Sequence, residues 1–314
     1  MKILVTGSTG FLGKELANRL VQLGYDIVCV GRNLKKLDNL MGKVKRTFLN
    51  IEDRNAVLEI IKTEKPDIVY HAAALVRSRS LRKLRLINVE GTRNVLDGCL
   101  AEGVEKVVYV SSVAVVGGNN TSPLGDDLPL KAANPYGQSK LEAEELALDY
   151  RKKGKKIAII RPCMVYGLEE PHGFALLSGF LKWRILPIAG KGENKLHLVC
   201  IDNVIDVLVL CLSNDEAYDG TYMVADKEAL STKEALFYMT KVLGVWSPMT
   251  IPERMLPFLS RLPVLGRLIA LLQKERIFSI ERLEKKFGYI PRVSVYDGLK
   301  KALRPYARRS IGDA

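Results

Sequence analysis

Lys2-Ile3-Leu4-Val5-Thr6-Gly7-Ser8-Thr9-Gly10-Phe11-Leu12-Gly13 opens the chain, and its reading decides the fold. An apolar, partly β-branched run passes at once into three glycines, and Leu16, Leu20 and Leu23 follow at near-helical spacing. The segment therefore reads as strand, tight turn and helix. Gly7 and Gly10 let the backbone turn and approach a pyrophosphate, Gly13 lets the helix pack against the strand, and the helix N-terminus attracts the anion. The spacing is G-x-x-G-x-x-G, a variant of the commoner G-x-G-x-x-G.

Outward from this loop, strand-like and helix-like segments alternate. Strands are expected at Ile27 to Val30, Lys45 to Leu49, Asp67 to His71, Lys106 to Ser111, Lys156 to Ile160 and Asp219 to Ala225, with helices from about Asp53 and from about Ser80 to Ala101. That rhythm predicts an α/β protein with a doubly wound parallel sheet of the Rossmann type, whose loop ends line one crevice. Residues 1–167 read as the dinucleotide-binding domain, to which the chain returns near 201–225. Residues 168–200 and 226–314 hold most of the prolines and irregular turns, and read as a smaller, mostly C-terminal substrate lobe. Asn50 and Ile51 after the third strand are candidates to frame an adenine. Ala72, Ala73 and Ala74 after the fourth are small enough for a dinucleotide to pass. Where an NAD-preferring fold places an acid, the second strand ends in Gly31-Arg32-Asn33. Arg32 suits a 2′-phosphate, which favours NADP over NAD.

The 314 residues suffice for a sizeable core. A net charge of +13 raises nucleic acid as a partner. The cations, however, are scattered among separate segments, including Lys35 and Lys36, Arg77 to Arg85, Arg151 to Lys156 and Arg304 to Arg309, with no aromatic-interleaved stripe. A solvated surface follows, and no nucleic-acid partner. The five cysteines have no metal-ligand spacing and mostly lie in apolar runs, so free buried thiols, a reducing compartment and no metal are expected. Glycines follow Val5 too soon for a signal peptide, and a cytoplasmic location is expected.

Tyr136-Gly137-Gln138-Ser139-Lys140 lies 24 residues after Ser112. On a helix, Tyr136 and Lys140 stand one turn apart on one face. Asn134 suits the cap and Pro135 the first position, which puts the phenol in the first turn near the positive end of the macrodipole. Moving a phenol pKa from about 10 towards 7 takes roughly 4 kcal/mol, which a neighbouring ammonium and a helix terminus can supply. Ser112, Tyr136 and Lys140 are the candidate catalytic residues.

Together the Thr6-to-Gly13 loop, His71-Ala72-Ala73-Ala74, Ser111-Ser112 with Val115-Val116-Gly117, Tyr136-x-x-x-Lys140, Arg161-Pro162-x-x-Val165-Tyr166-Gly167 and Val199-Cys200-Ile201-Asp202-Asn203-Val204 resemble the extended short-chain dehydrogenase/reductases over nearly the whole chain. The resemblance implies a substrate-orienting Ser112, with Val116 in place of the usual tyrosine, a proton-transferring Tyr136, and a Lys140 that binds the nicotinamide ribose and depresses the phenol. It also implies cofactor contacts at Gly7, Thr9, Gly10, Phe11, Leu12, Gly13, Arg32, Asn50, Ile51, Ala72, Ala73, Ala74, Tyr136, Lys140, Pro162 and Val165. Asn88 matches a helix asparagine near the active site.

Nucleotide-sugar enzymes of the family carry a diphosphate-binding arginine in the segment that here reads Leu196-His197-Leu198-Val199. The sequence is more similar to the 3β-hydroxysteroid dehydrogenase and dihydroflavonol reductase branches, which implies an NADP(H)-dependent oxidoreductase acting on an apolar ketone or secondary alcohol. Two alternatives stay open: a nucleotide-sugar epimerase or dehydratase with tightly bound NAD, and a non-catalytic NADPH-sensing protein. Residues 255–272 are leucine-rich but interrupted by two arginines and two prolines, which suits core, a pocket lid, a homodimer contact or a peripheral membrane segment and excludes a span.

Overall fold

The computed structural model describes residues 1–37, 42, 44–170, 173–259, 261 and 275–307. Two compact units are present: 1–163 with 204–224 and 279–289, and 164–203 with 225–278 and 290–314. The first holds a seven-stranded sheet built from β1 (Lys2–Thr6), β2 (Asp26–Gly31), β3 (Lys45–Phe48), β4 (Ile68–His71), β5 (Lys106–Val110), β6 (Lys156–Pro162) and the strand Thr221–Val224. Read from one edge, the order is β3-β2-β1-β4-β5-β6 and then Thr221–Val224, with every pair parallel. The expected Rossmann-type sheet is thus present. Its central strands are buried along almost their whole length, as β-branched runs covered on both faces must be.

Helices α1 (Phe11–Gln22), α2 (Leu34–Leu37), α3 (Arg54–Glu64), α4 (Leu81–Arg85), α5 (Gly91–Ala101) and α6 (Pro135–Lys152) connect the strands. The core includes Leu4, Val28, Val69, Val107 and Ile157 from the sheet, with Val57 and Ile61 from α3 and Val95 and Cys99 from α5. The helix expected over Ser80 to Ala101 is continuous but not uniformly α: Leu86–Glu90 forms a π-turn between α4 and α5. Its extra residue gives Asn88 a separate set of partners, described below.

The second unit contains α7 (Phe174–Lys182), the helices Thr232–Leu243 and Val295–Leu303, and short strand pairs such as Met164–Tyr166 with Leu198–Cys200. Tyr166, Leu181, Leu236 and Leu299 join in its core. At its centre, the buried Asp226 carboxylate accepts hydrogen bonds from the Tyr166 hydroxyl (2.7 Å), the Asn203 amide (2.7 Å) and the Cys200 N–H (2.9 Å). Of the segment 255–272, residues 260 and 262–272 lie outside the described residues, and so do Pro171 and His172.

The opening loop is where backbone geometry is most constrained. Gly7 has φ of +76°, and a Cβ there would lie 2.7 Å from the Ala73 backbone. Gly7→Ala should therefore destabilise the cofactor-free protein by about 1–3 kcal/mol, the usual cost of forcing a side chain into such a conformation, before any allowance for the clash. Urea denaturation of the purified variant checks this; an unchanged midpoint would show that the β1 loop yields freely.

Candidate active site

At the C-terminal ends of β1 and β4, the strand order reverses and the chain leaves a crevice. Gly7 and Ala73 face each other there, backbone to backbone. Gly13 is needed for a different reason from the one its spacing suggests: a Cβ on it would sit 2.3 Å from the Gly7 carbonyl oxygen, so it admits the loop rather than the strand. Gly10 donates to the Gly7 carbonyl at 2.8 Å and precedes α1, whose N-terminus has no side-chain cap. Phe11 and Leu12 begin α1, and the Thr9 side chain occupies the space over Gly31. A cradle that any Cβ would fill, beside an uncapped helix N-terminus, fits the pyrophosphate of a dinucleotide.

Beneath the cradle runs a buried polar chain. Thr92 donates to the Asn88 carbonyl (2.6 Å), so its oxygen accepts from His71 Nε2 (3.0 Å); His71 Nδ1 then accepts from Thr6 (2.8 Å), which in turn accepts the Ala73 N–H (3.3 Å). His71 is consequently the Nε2-protonated neutral imidazole. Burial first, and then the Lys140 charge, hold its pKa down to about 3.

The reactive groups are carried by β5 and α6. Ser112 caps the short turn after β5, its hydroxyl accepting the Ala114 N–H at 3.2 Å. Asn134 caps α6 through the Gly137 N–H at 2.8 Å and Pro135 takes the first turn, which sets Tyr136 where its spacing predicts. Burial raises the phenol above its ordinary value, and the Ser112 side chain works the other way. Lys140 differs from expectation. Its ammonium donates to the Val110 carbonyl at 2.8 Å and stands 4.3 Å from the Tyr109 ring centroid, and burial depresses it to about 7. The reason is local: a wholly buried ammonium takes the nearest carbonyl and π-face.

Three residues without an assigned role hold this arrangement. Asn88, in the π-turn, accepts the Leu75 N–H (2.7 Å) and donates to the Leu75 carbonyl and to Ser139 (both 2.9 Å); Ser139 donates to the Tyr136 carbonyl at 2.8 Å. Glu144, one turn beyond Lys140, is wholly buried, accepts from Ser111 and forms a fork with Arg161, whose Nε reaches both carboxylate oxygens at 3.1 Å. Arg161 also donates to the Asp126 carbonyl at 2.9 Å, and the Asp126 side chain accepts the Met223 N–H at 2.6 Å. Burial pushes Asp126 up to about 6. A buried pair of this kind costs 3–5 kcal/mol to break from one side, so it fixes Ser111, and with it the start of the Ser112 turn, against α6. The i+4 spacing of Lys140 and Glu144 is the one sequence signal that marks it.

The remaining candidates divide. Arg32 is exposed and lies 3.7 Å from the Glu52 carboxylate. Asn50 is half-buried and accepts the Glu52 N–H at 3.4 Å. Ile51, expected near an adenine, is instead a core residue; its carbonyl accepts from Asn94 at 2.9 Å, because an apolar side chain at the head of α3 is better buried than exposed. Ala72 and Ala73 are half-buried and Ala74 exposed. Pro162 ends β6 in the first unit, and Val165 belongs to the second. His197 is structural: it accepts the Phe278 N–H and so donates from Nε2 to the Asp226 carbonyl at 2.7 Å. All five cysteines are free and buried.

His71 generates a pH prediction. Its folded pKa lies below the unfolded value of about 6.5, so the unfolded chain binds the extra proton between about pH 3 and pH 6.5, and stability falls as pH drops through that window. From pH 7 to pH 5 the loss from this group is about 2 kcal/mol. Paired urea titrations of wild type and His71→Asn measure it; equal pH slopes would contradict the neutral imidazole.

Comparison with known proteins agrees with this geometry. The model of the NAD dependent epimerase/dehydratase family matches residues 3–225. The chain is 28% identical to the 2-alkyl-3-oxoalkanoate reductase of Stenotrophomonas maltophilia, over 96% of this chain and 98% of that one. It is 26% identical to the UDP-glucose 4-epimerase of Vibrio cholerae, over 97% and 95%. The crystal structure of the UDP-glucose 4-epimerase of Thermotoga maritima with UDP-glucose superposes with a TM-score of 0.80 at 23% identity, covering 98% of each chain, a likeness of fold. With the glycine cradle, the β5 serine and the α6 tyrosine and lysine in one unit, the chain belongs to the NAD-dependent epimerase/dehydratase family, and is an NAD(P)-dependent enzyme of the extended short-chain dehydrogenase/reductase type.

Proposed function

We propose that the protein is an NADP(H)-dependent oxidoreductase that interconverts a ketone and a secondary alcohol on a mainly apolar small molecule. The observation that carries this reading is Tyr136 in the first turn of α6, set by the Asn134 cap and held through its carbonyl by Ser139, with Ser112 at the turn after β5. A phenol that burial keeps protonated is an acid awaiting a carbonyl oxygen, the need of a reductase. Two further points favour an apolar substrate: a reductase of an alkyl-substituted oxoalkanoate is similar over nearly the whole chain, and Leu196 and His197 stand where an arginine would bind a nucleotide diphosphate.

Gly7, Gly10 and Gly13 would hold the pyrophosphate at the α1 N-terminus, and Lys140 would reach the nicotinamide ribose. When bound, the dinucleotide supplies or accepts the hydride. Ser112 orients the substrate oxygen, and Tyr136 gives it the proton in reduction or removes it in oxidation. Asn88 and Ser139 keep the Tyr136 turn in place through its carbonyl.

A second reading, a nucleotide-sugar epimerase with tightly bound NAD, draws support from the similar epimerases. Release of NAD on denaturing freshly purified protein, together with binding of a nucleoside diphosphate, would favour it over the reductase.

Tyr136→Phe should lower ketone turnover by roughly 10²- to 10⁴-fold while cofactor affinity stays near wild type, because it deletes a proton donor and little volume. Steady-state kinetics and cofactor fluorescence separate the two; turnover close to wild type would sink the assignment. For cofactor choice, Glu52 holds Arg32 in the absence of a phosphate. NADPH should bind at least about tenfold more tightly than NADH, as a charge-assisted contact to the 2′-phosphate implies, with the gap narrowed in Arg32→Ala and widened in Glu52→Gln. Equal affinities in the wild-type protein would refute the preference.

A further inference from the structure

The second unit carries an apolar surface that its core leaves uncovered. Along α7, Leu176, Phe180 and Trp183 recur at i, i+4 and i+7 and are exposed, whereas Phe174, Ser178 and Leu181 on the other side are buried. The helix is thus apolar on both faces, although only one meets the core. Ile185, whose N–H donates to the Phe180 carbonyl at 2.9 Å, extends the exposed stripe. In another segment Trp246 and Met249 are also exposed: Met249 accepts the Ile188 N–H at 2.8 Å, and Trp246 lies just past the helix Thr232–Leu243 that packs on α7. Trp183 and Trp246 are 79% and 75% exposed. They are the two tryptophans of the chain.

Exposed cations flank Trp183, and Glu234 shares a groove with Lys241. Lys182, Arg184 and Lys241 are exposed, and stretches 173–189 and 235–252 contain no aspartate or glutamate. We propose that this surface docks on an anionic lipid bilayer, with the two indoles and Ile185 entering the headgroup boundary and the cations on lipid phosphates. Indoles with flanking lysine and arginine are the side chains that stand comfortably at that boundary, apolar body inward and polar tip or charge in water. A second copy of the chain is a poorer occupant, since a two-fold contact at Trp183 would bring Lys182 and Arg184 against their own counterparts. No described helix is long and apolar enough to cross the membrane, so the contact is peripheral.

Because Trp183 and Trp246 are the sole tryptophans, the emission of the unmodified protein reports on this surface alone. Adding vesicles of phosphatidylcholine mixed with phosphatidylglycerol should shift the emission to the blue and carry the protein upward in flotation, with release as salt rises. Vesicles of phosphatidylcholine alone should bind it far less. Lys182→Gln with Arg184→Gln should weaken binding roughly 25-fold, taking about fivefold for each cation near the surface. Trp183→Ser with Ile185→Ser should abolish flotation while leaving NADPH binding intact, which shows that the variant is folded. The proposal is overturned if the emission and the flotation are unchanged by anionic vesicles, if neutral vesicles bind equally, or if sedimentation finds a dimer that the Trp183→Ser, Ile185→Ser variant splits. None of these readouts uses turnover, so their failure leaves the proposed reaction standing.

Discussion

The structure depends on the approach of two backbones, Gly7 at the end of β1 and Ala73 just past β4. Parallel strands from distant parts of the chain meet there only because Gly7 has no side chain and a positive φ. The contact places the cradle at the point where the strand order reverses. It also explains why buried polar groups cluster below it: the last carbonyls and N–H groups of both strands need partners away from water, and Thr6, His71 and Thr92 supply them in one satisfied chain. A charged imidazole would break that chain, so neutrality of His71 is a structural requirement before it is anything else.

A second constraint is the accumulation of roles on α6. Tyr136, Ser139, Lys140 and Glu144 occupy successive turns of one helix, and each is fixed by a different neighbour: the Ser112 turn, the π-turn through Asn88, the β5 carbonyl of Val110, and Arg161 of β6. The helix is therefore held in both rotation and height. Stability and reactivity are coupled here, because the buried ion pair of Glu144 and Arg161 and the buried ammonium of Lys140 carry desolvation penalties that only their hydrogen bonds offset. The phenol in turn is raised by the dry surroundings that these elements create. The chain is similar over nearly its whole length both to a reductase and to an epimerase.

By itself the sequence determined the parallel sheet, the tight glycine turn after β1 and the capping of α6. These features are encoded locally: β-branched runs, glycines at fixed offsets, and Asn134-Pro135 ahead of a helix. What only the tertiary structure decided is pairing between distant groups. Gly13 answers to the Gly7 carbonyl and not to a strand, Ile51 turns into the core, Arg32 meets Glu52, and the Lys140 ammonium is directed to the Val110 carbonyl and the Tyr109 ring. The exposed face of α7 was equally hidden, since the spacing of Leu176, Phe180 and Trp183 does not mark which face a neighbour covers. Local patterns report which residues prefer to leave water. Which of them find a neighbour depends on contacts between segments tens to more than a hundred residues apart, and no periodicity within one segment records those.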